Sequence, residues 1–128
     1  MSLDIELYPP VNGNQYVVLS GRLDSDSYEQ LDDALDPLLL AARPGMVLVL
    51  ELAHLEYISS AGIRCILKAR KALAPTGKVL AVHPQAQIQK VFEVVKAVPM
   101  HEIFASTAEA DAYLDAMQRK VLQGDGND

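Results

Sequence analysis

The sequence predicts an α/β fold: a mixed, mostly parallel β-sheet with an N-terminal hairpin, covered by about four helices. Three observations predict it. Segments with a two-residue apolar period, or a continuous apolar run, alternate along the chain with segments of helical period. The central run MVLVLEL, Met46 to Leu52, is nearly all apolar and rich in valine, as a strand buried on both faces must be. Near the N-terminus, Asn12-Gly13 separates two short alternating segments, which is the turn chemistry of a β-hairpin.

Taken in order, LDIELYP places Leu3, Ile5 and Leu7 on one side and Asp4 and Glu6 on the other, a strand with one wet face. YVVLSG, Tyr16 to Gly21, is the second strand. In LDSDSYEQLDDALDPLLLAA, Asp26 and Glu29 fit a capping box. Leu31, Ala34, Leu35, Leu38 and Leu39 then recur at helical spacing, with Pro37 either kinking that helix or starting a second one. After the Met46–Leu52 strand, AHLEY bridges to a helix whose buried stripe is Ile63, Ile66, Leu67 and Leu73, stopped by Pro75-Thr76-Gly77. KVLAVH is a further strand. Pro84 opens a helix with Ile88, Val91, Phe92 and Val95 facing inward, and Pro99 ends it. HEIFAS is a short last strand. Ser106 and Glu109 form a second capping box before a final helix through Ala110, Leu114, Met117 and Val121, and QGDGND is a frayed tail. The expected organisation is one domain over residues 1–118, with 119–128 as helix end and tail.

The chain has 128 residues, half of them hydrophobic and 22% charged, which supplies one core. A net charge of −6 and a pI near 4.9 argue against nucleic-acid binding and against adhesion to anionic membranes, both of which reward basic patches. The single cysteine, Cys65, excludes an internal disulfide and reads as a small residue beside the core. No apolar stretch approaches the ~20 residues that span a bilayer, and the N-terminus lacks the pattern of a signal peptide. The expected setting is cytoplasmic. His54, His83 and His101 show no metal-ligand spacing and read as ordinary surface or loop residues.

One junction asks for a function. LEYISSAGIRCILKARKAL, Leu55 to Leu73, sets two serines, an alanine and a glycine where a strand ends and a helix begins. Such a turn presents a nucleophile in an enzyme, offers a serine for phosphorylation in a signalling protein, or only caps a helix. Ser59 or Ser60 starts the helix, and Gly62 leaves no side chain beside Ser60. On a helical wheel, Arg64, Lys68 and Lys71 fall near Ser60, a basic ridge on an acidic protein, while Arg70 falls among apolar positions and should snorkel outward. Asp24 reads equally as a turn residue or as partner surface near Ser60. There is no G-x-S-x-G elbow, no P-loop and no dinucleotide fingerprint, so an enzyme is not expected.

Three stretches resemble the STAS domain family, specifically its stand-alone bacterial anti-sigma factor antagonists: LSGRLDSDSYEQLDDAL, VLVLELAHLEYISSAGIRCIL, and KVLAVHPQAQIQKVFEVV followed by HEIF. The resemblance covers roughly Leu3 to Met117. The first resembles the family's G-x-L-D signature, the second its D-S-[ST]-G phosphorylation loop. Aligned, the loop's acidic position falls on Ser59, its phosphorylated serine on Ser60, the next hydroxyl residue on Ala61 and the glycine on Gly62. Ser59 and Ala61 thus depart from the pattern, as does the KAVPM connection after Phe92.

The resemblance implies a partner switch in transcription regulation. The unphosphorylated antagonist binds an anti-sigma factor of histidine-kinase-like ATPase fold, which is also a serine kinase. Phosphorylation of Ser60 releases it, and a PP2C-type phosphatase resets it. Ser59, Ala61, Gly62, Arg64, Lys68 and Asp24 are the expected loop and partner-binding residues, with no cofactor, metal, nucleic acid or membrane involved. The alternative on the same fold is an accessory subunit of a lipid or anion transport complex.

Overall fold

The computed structural model describes residues 3–96, 98, 102–104, 108–109, 112–113 and 116. The strands are β1 (Leu3–Leu7), β2 (Asn14–Leu23), β3 (Val47–Ile58), β4 (Lys78–Val82) and β5 (Ile103–Phe104). The helices are α1 (Tyr28–Leu40), α2 (Ser60–Leu73) and α3 (Ala86–Val95). The sheet order is β1-β2-β3-β4-β5, with β1 antiparallel to β2 and every other pair parallel. The hairpin turn forms as its sequence requires: Asn12 and Gly13 both have positive φ, 54° and 82°, the geometry that suits the twist of a two-residue loop.

β3 runs well past the predicted Leu52 and absorbs AHLEY, which was expected as a bridge. The reason is two bulges. Val18 pairs with Glu51 but Ser20 with His54, and Gly21 pairs with Leu55 but Arg22 with Tyr57, so β3 carries one extra residue at each step. The bulges let Leu52, Leu55 and Ile58, three residues apart, all reach the same buried face. A spacing of three does not read as a strand.

The helix-side core joins Val17, Leu19 and Leu23 of β2 to Leu48, Leu50 and Leu52 of β3, and to Leu31, Leu35, Ile66, Ile88 and Phe92 of the helices. A smaller cluster on the opposite face holds Val47, Val49, Leu80 and Val82, with Tyr16, Phe104 and Tyr113 packed on it. Tyr113 lies among the described helical residues Ala108, Glu109, Ala112, Tyr113 and Ala116. Ser106, Ala110, Leu114, Met117 and Val121 of the predicted final helix, and His101, lie outside the described residues.

Several boundaries differ from expectation. α1 starts at Tyr28 with Ser27 as its N-cap, and no side chain caps it, so the Asp26–Glu29 capping box does not form. Asp24 takes over, its Oδ1 accepting from the N–H groups of Asp26 at 3.0 Å and Ser27 at 3.1 Å. Pro37 sits inside one continuous α1. α3 ends at Val95, before Pro99, because Lys96 adopts the left-handed conformation (φ 56°). Leu67 and Val95, expected to face inward, are 39% and 47% exposed, while Cys65 and Ala69 take the buried positions on α2.

Candidate functional site: the β3–α2 junction

Ser59 closes β3 and opens α2. Its N–H continues the ladder to the Leu23 carbonyl at 2.8 Å, and its own carbonyl accepts from Ile63 N–H at 2.9 Å. With an extended backbone (φ −99°, ψ 176°) it is the N-cap, and its Oγ accepts from Gly62 N–H at 3.4 Å. The serine pair therefore divides its work. Ser59 caps the helix; Ser60, its first residue, takes no part in the cap and is exposed. Ala61, next to it, is buried at 6% exposure.

Gly62 has a different reason from the one its sequence suggests. A Cβ there would lie 2.6 Å from Leu23 Cγ and 2.9 Å from Ile58 Cγ1, so the glycine lets α2 press onto the ends of β2 and β3. This contact, with the Ser59–Leu23 backbone bond, fixes the position from which Ser60 projects.

Asp24 lies in the neighbouring β2–α1 loop. Besides its two backbone bonds, its Oδ1 is 3.1 Å from the Ser27 hydroxyl, which itself accepts from Asp24 N–H at 2.9 Å and donates to the Arg22 carbonyl at 2.7 Å. Desolvation acts to raise the Asp24 carboxyl; the bonds from Asp26 and Ser27, with the Arg22 charge, outweigh it and hold the group below its ordinary value. Of its two readings, the turn role is the one the geometry displays.

Sequence reasoning missed a pair beside the junction. Arg22 stacks on Tyr57, its guanidinium carbon 4.2 Å from the ring centroid, with its Nε 3.6 Å from Asp24 Oδ2. The residues are cross-strand partners, two positions before Ser59 on β3. Their pairing was hidden because the bulges shift the register that would have revealed it.

The basic ridge is only partly free. Lys68 turns to α1, 3.2 Å from Asp36 and 3.7 Å from Asp32, and these carboxylates raise its pKa, the Asp36 hydrogen bond most. Arg64 stays exposed on the turn after Ser60. Arg70 reaches outward as expected, its Nη1 3.5 Å from the Lys96 carbonyl. Cys65 is buried, and burial above all, with Asp32, pushes its thiol up to about 12, which makes it a poor nucleophile. Away from this site, His83 Nδ1 meets Glu51 at 2.8 Å, tying the end of β4 to β3. Among the described residues, no group of three or more His, Cys, Asp or Glu could hold a metal ion, and no helix is long and apolar enough to cross a membrane.

A family model described as "Mlab, STAS domain" matches residues 12–98, from the hairpin turn to just past α3. The chain belongs to the STAS domain family. The Bacillus cell fate determinant SpoIIAA, solved in phosphorylated form, has the same fold: TM-score 0.67, 20% identity, covering 87% of this chain and 99% of that one. An anti-sigma factor antagonist from Mycobacterium paratuberculosis matches at TM-score 0.67 and 18% identity, covering 87% of this chain and 92% of the other. The murine anion transporter Slc26a9 matches at TM-score 0.67 and 17% identity, with 84% of this STAS domain aligned to 18% of the transporter chain. No curated sequence matches the chain. These structural likenesses are likenesses of fold, and they bear out the mixed five-stranded sheet covered by helices.

Proposed function

We propose that this STAS domain is an anti-sigma factor antagonist that works by partner switching, with Ser60 as the phosphorylated residue. The observation that carries the reading is the division of the serine pair: Ser59 holds the cap, and Ser60 stands exposed on the first turn. A phosphoryl group on Ser60 adds about −1.5 to −2 charges at pH 7. It would rest well on the positive end of α2 and near Arg64, four residues on. In an interface with a partner the same charge would be desolvated, and the complex would open. One covalent event therefore reverses binding without altering the fold. Two of the fold matches described above are to an anti-sigma factor antagonist and to a determinant solved in its phosphorylated form.

In this reading the partner is an anti-sigma factor of histidine-kinase-like ATPase fold acting as the serine kinase. A PP2C-type phosphatase restores the free serine. The protein itself turns over no substrate, acts in the cytoplasm and serves transcription. Ser59, Ala61 and Gly62 shape the loop and Arg64 borders it. Asp24 orders the neighbouring β2–α1 loop through its bonds to Asp26 and Ser27, and Lys68 serves the α1–α2 contact.

A second reading keeps the fold and makes the chain an accessory subunit of a transport complex; the match to part of an anion transporter favours it. Capture of partners from lysate of the native host separates the two, using wild type, Ser60→Ala and Ser60→Asp. Partner switching predicts that wild type and Ser60→Ala retain an ATPase-fold kinase and Ser60→Asp loses it. Retention of the same transporter subunits by all three would overturn it.

A further inference from the structure

α2 and α3 lie on the same side of the sheet and run in the same direction, because each links two parallel strands and both bury residues in the helix-side core. At their C-terminal ends Arg70 Nη1 of α2 reaches the carbonyl of Lys96, just past α3, at 3.5 Å. On α2 the positions Ser60, Arg64, Leu67 and Lys71 form one stripe at helical spacing, and all four are exposed. Gln87, Lys90 and Val94 form the matching exposed stripe on α3. Each stripe runs in the same order along its helix, a polar residue, then a basic one, then an apolar one. Leu67 is 39% exposed, Val94 72% and Val95 47%.

The charge of this surface is not that of the molecule. α2 carries Arg64, Lys68, Arg70 and Lys71 and no acidic residue, although the chain has a net charge of −6. α1, packed on the other side of α2, carries Glu29, Asp32, Asp33 and Asp36 and no basic one. The single acid of α3, Glu93, is held by Gln89 at 3.2 Å.

We propose that the α2–α3 surface docks an acidic amphipathic helix of the partner protein, its apolar stripe on Leu67, Val94 and Val95 and its carboxylates on Arg64, Lys90 and Lys71. This deepens the partner-switching reading and rests on it. An acidic helix is the occupant of choice for two reasons. On each helix the exposed apolar residue follows a basic one, Arg64 before Leu67 and Lys90 before Val94, so a ligand must bring both apolar contact and negative charge. The acidic wall of α1 beside it repels any broad anionic surface, nucleic acid or bilayer, that would span both helices, while a single helix fits on the basic side. Ser60 stands at the head of the same stripe. A phosphate there meets the partner's carboxylates as well as its desolvating surface, so charge repulsion acts on the residues that give affinity.

The test uses the full chain with a photo-crosslinking side chain placed at position 67, 94 or, as a control on α1, 33. The partner is the protein retained by wild type and by Ser60→Ala. Crosslinks from 67 and 94 should map to one acidic amphipathic segment of that partner, and position 33 should give none. With purified partner, Leu67→Asp and Val94→Asp should each weaken binding at least tenfold while leaving the thermal midpoint unchanged, since both side chains are exposed. If Ser60→Asp releases the partner and the two groove variants do not, switching stands and this docking surface is wrong. If the groove variants release it and Ser60→Asp does not, the surface stands and Ser60 is not the switch. Crosslinks only to residues 117–128 of the same chain, only to a second copy, or to no other protein overturn the proposal. So does binding of the unpartnered protein to phosphatidylserine vesicles through the same residues.

Discussion

Ser59 and Ser60 are adjacent and chemically identical, yet the fold gives them different work. The cap bond from Ser59 is long, 3.4 Å, so Ser59→Ala should lower stability by only ~0.5 kcal/mol, the bottom of the range for such caps. Urea unfolding would measure it. Ser60→Ala should change stability by less than about 0.5 kcal/mol. Gly62→Ala should be destabilising by ~1–3 kcal/mol, because the new methyl would collide with Leu23 and Ile58 and this outweighs the ~1 kcal/mol gain in helix propensity. Asp24 gives a pH signature. Its carboxyl is held below the ordinary value, so the charged form is favoured by folding. Its contribution is present at neutral pH and disappears as pH falls below about 4, through the folded-state pKa. The difference in urea midpoint between wild type and Asp24→Asn should therefore be widest near neutrality and should narrow towards pH 3.

At the scale of elements, β3 positions the site. Its two bulges turn Leu52, Leu55 and Ile58 to one face and send Tyr57 to the other, where Arg22 stacks on it. Deleting Glu56 would remove one extra residue and swap the faces of Tyr57 and Ile58. The deletion should abolish cooperative thermal unfolding, followed by near-UV circular dichroism, whereas Glu56→Ala should unfold as sharply as wild type. The bulges also explain what could be read from the chain. The hairpin, the buried run of β3, α2 and β4 were legible because local period and turn chemistry agree with the fold there. The far half of β3 was not, since its period of three is neither strand nor helix. The start of α1 was misread because two aspartates competed for one cap, and which one reaches the N–H groups depends on where β2 ends. Leu67 and Val95 fit the apolar stripes by spacing, but none of the described residues covers them fully, and they stay 39% and 47% exposed. The serine junction itself was legible; the partition of roles between the two serines needed the backbone geometry.

Over the whole molecule, charge and shape are divided by side. The helix side of the sheet presents an acidic α1 next to a basic α2, joined by Lys68 with Asp32 and Asp36. Lys68→Ala should loosen that contact and increase hydrogen exchange in α1 and α2 without changing which partner is captured. The net charge of −6 repels an acidic partner at long range and salt screens that repulsion first, so charge reversal at Arg64, which removes only the local attraction, should slow association at low and high salt alike. In the partner-switching reading proposed above, one hydroxyl, on Ser60, decides whether the partner stays bound. The most direct measurement is calorimetric titration of the purified partner with two forms of the protein, one unmodified and one carrying phosphoserine at position 60. The phosphorylated form should bind at least tenfold more weakly, with both forms unfolding at the same temperature. Equal affinity of the two forms, or release caused only by phosphate on Ser59, would contradict it.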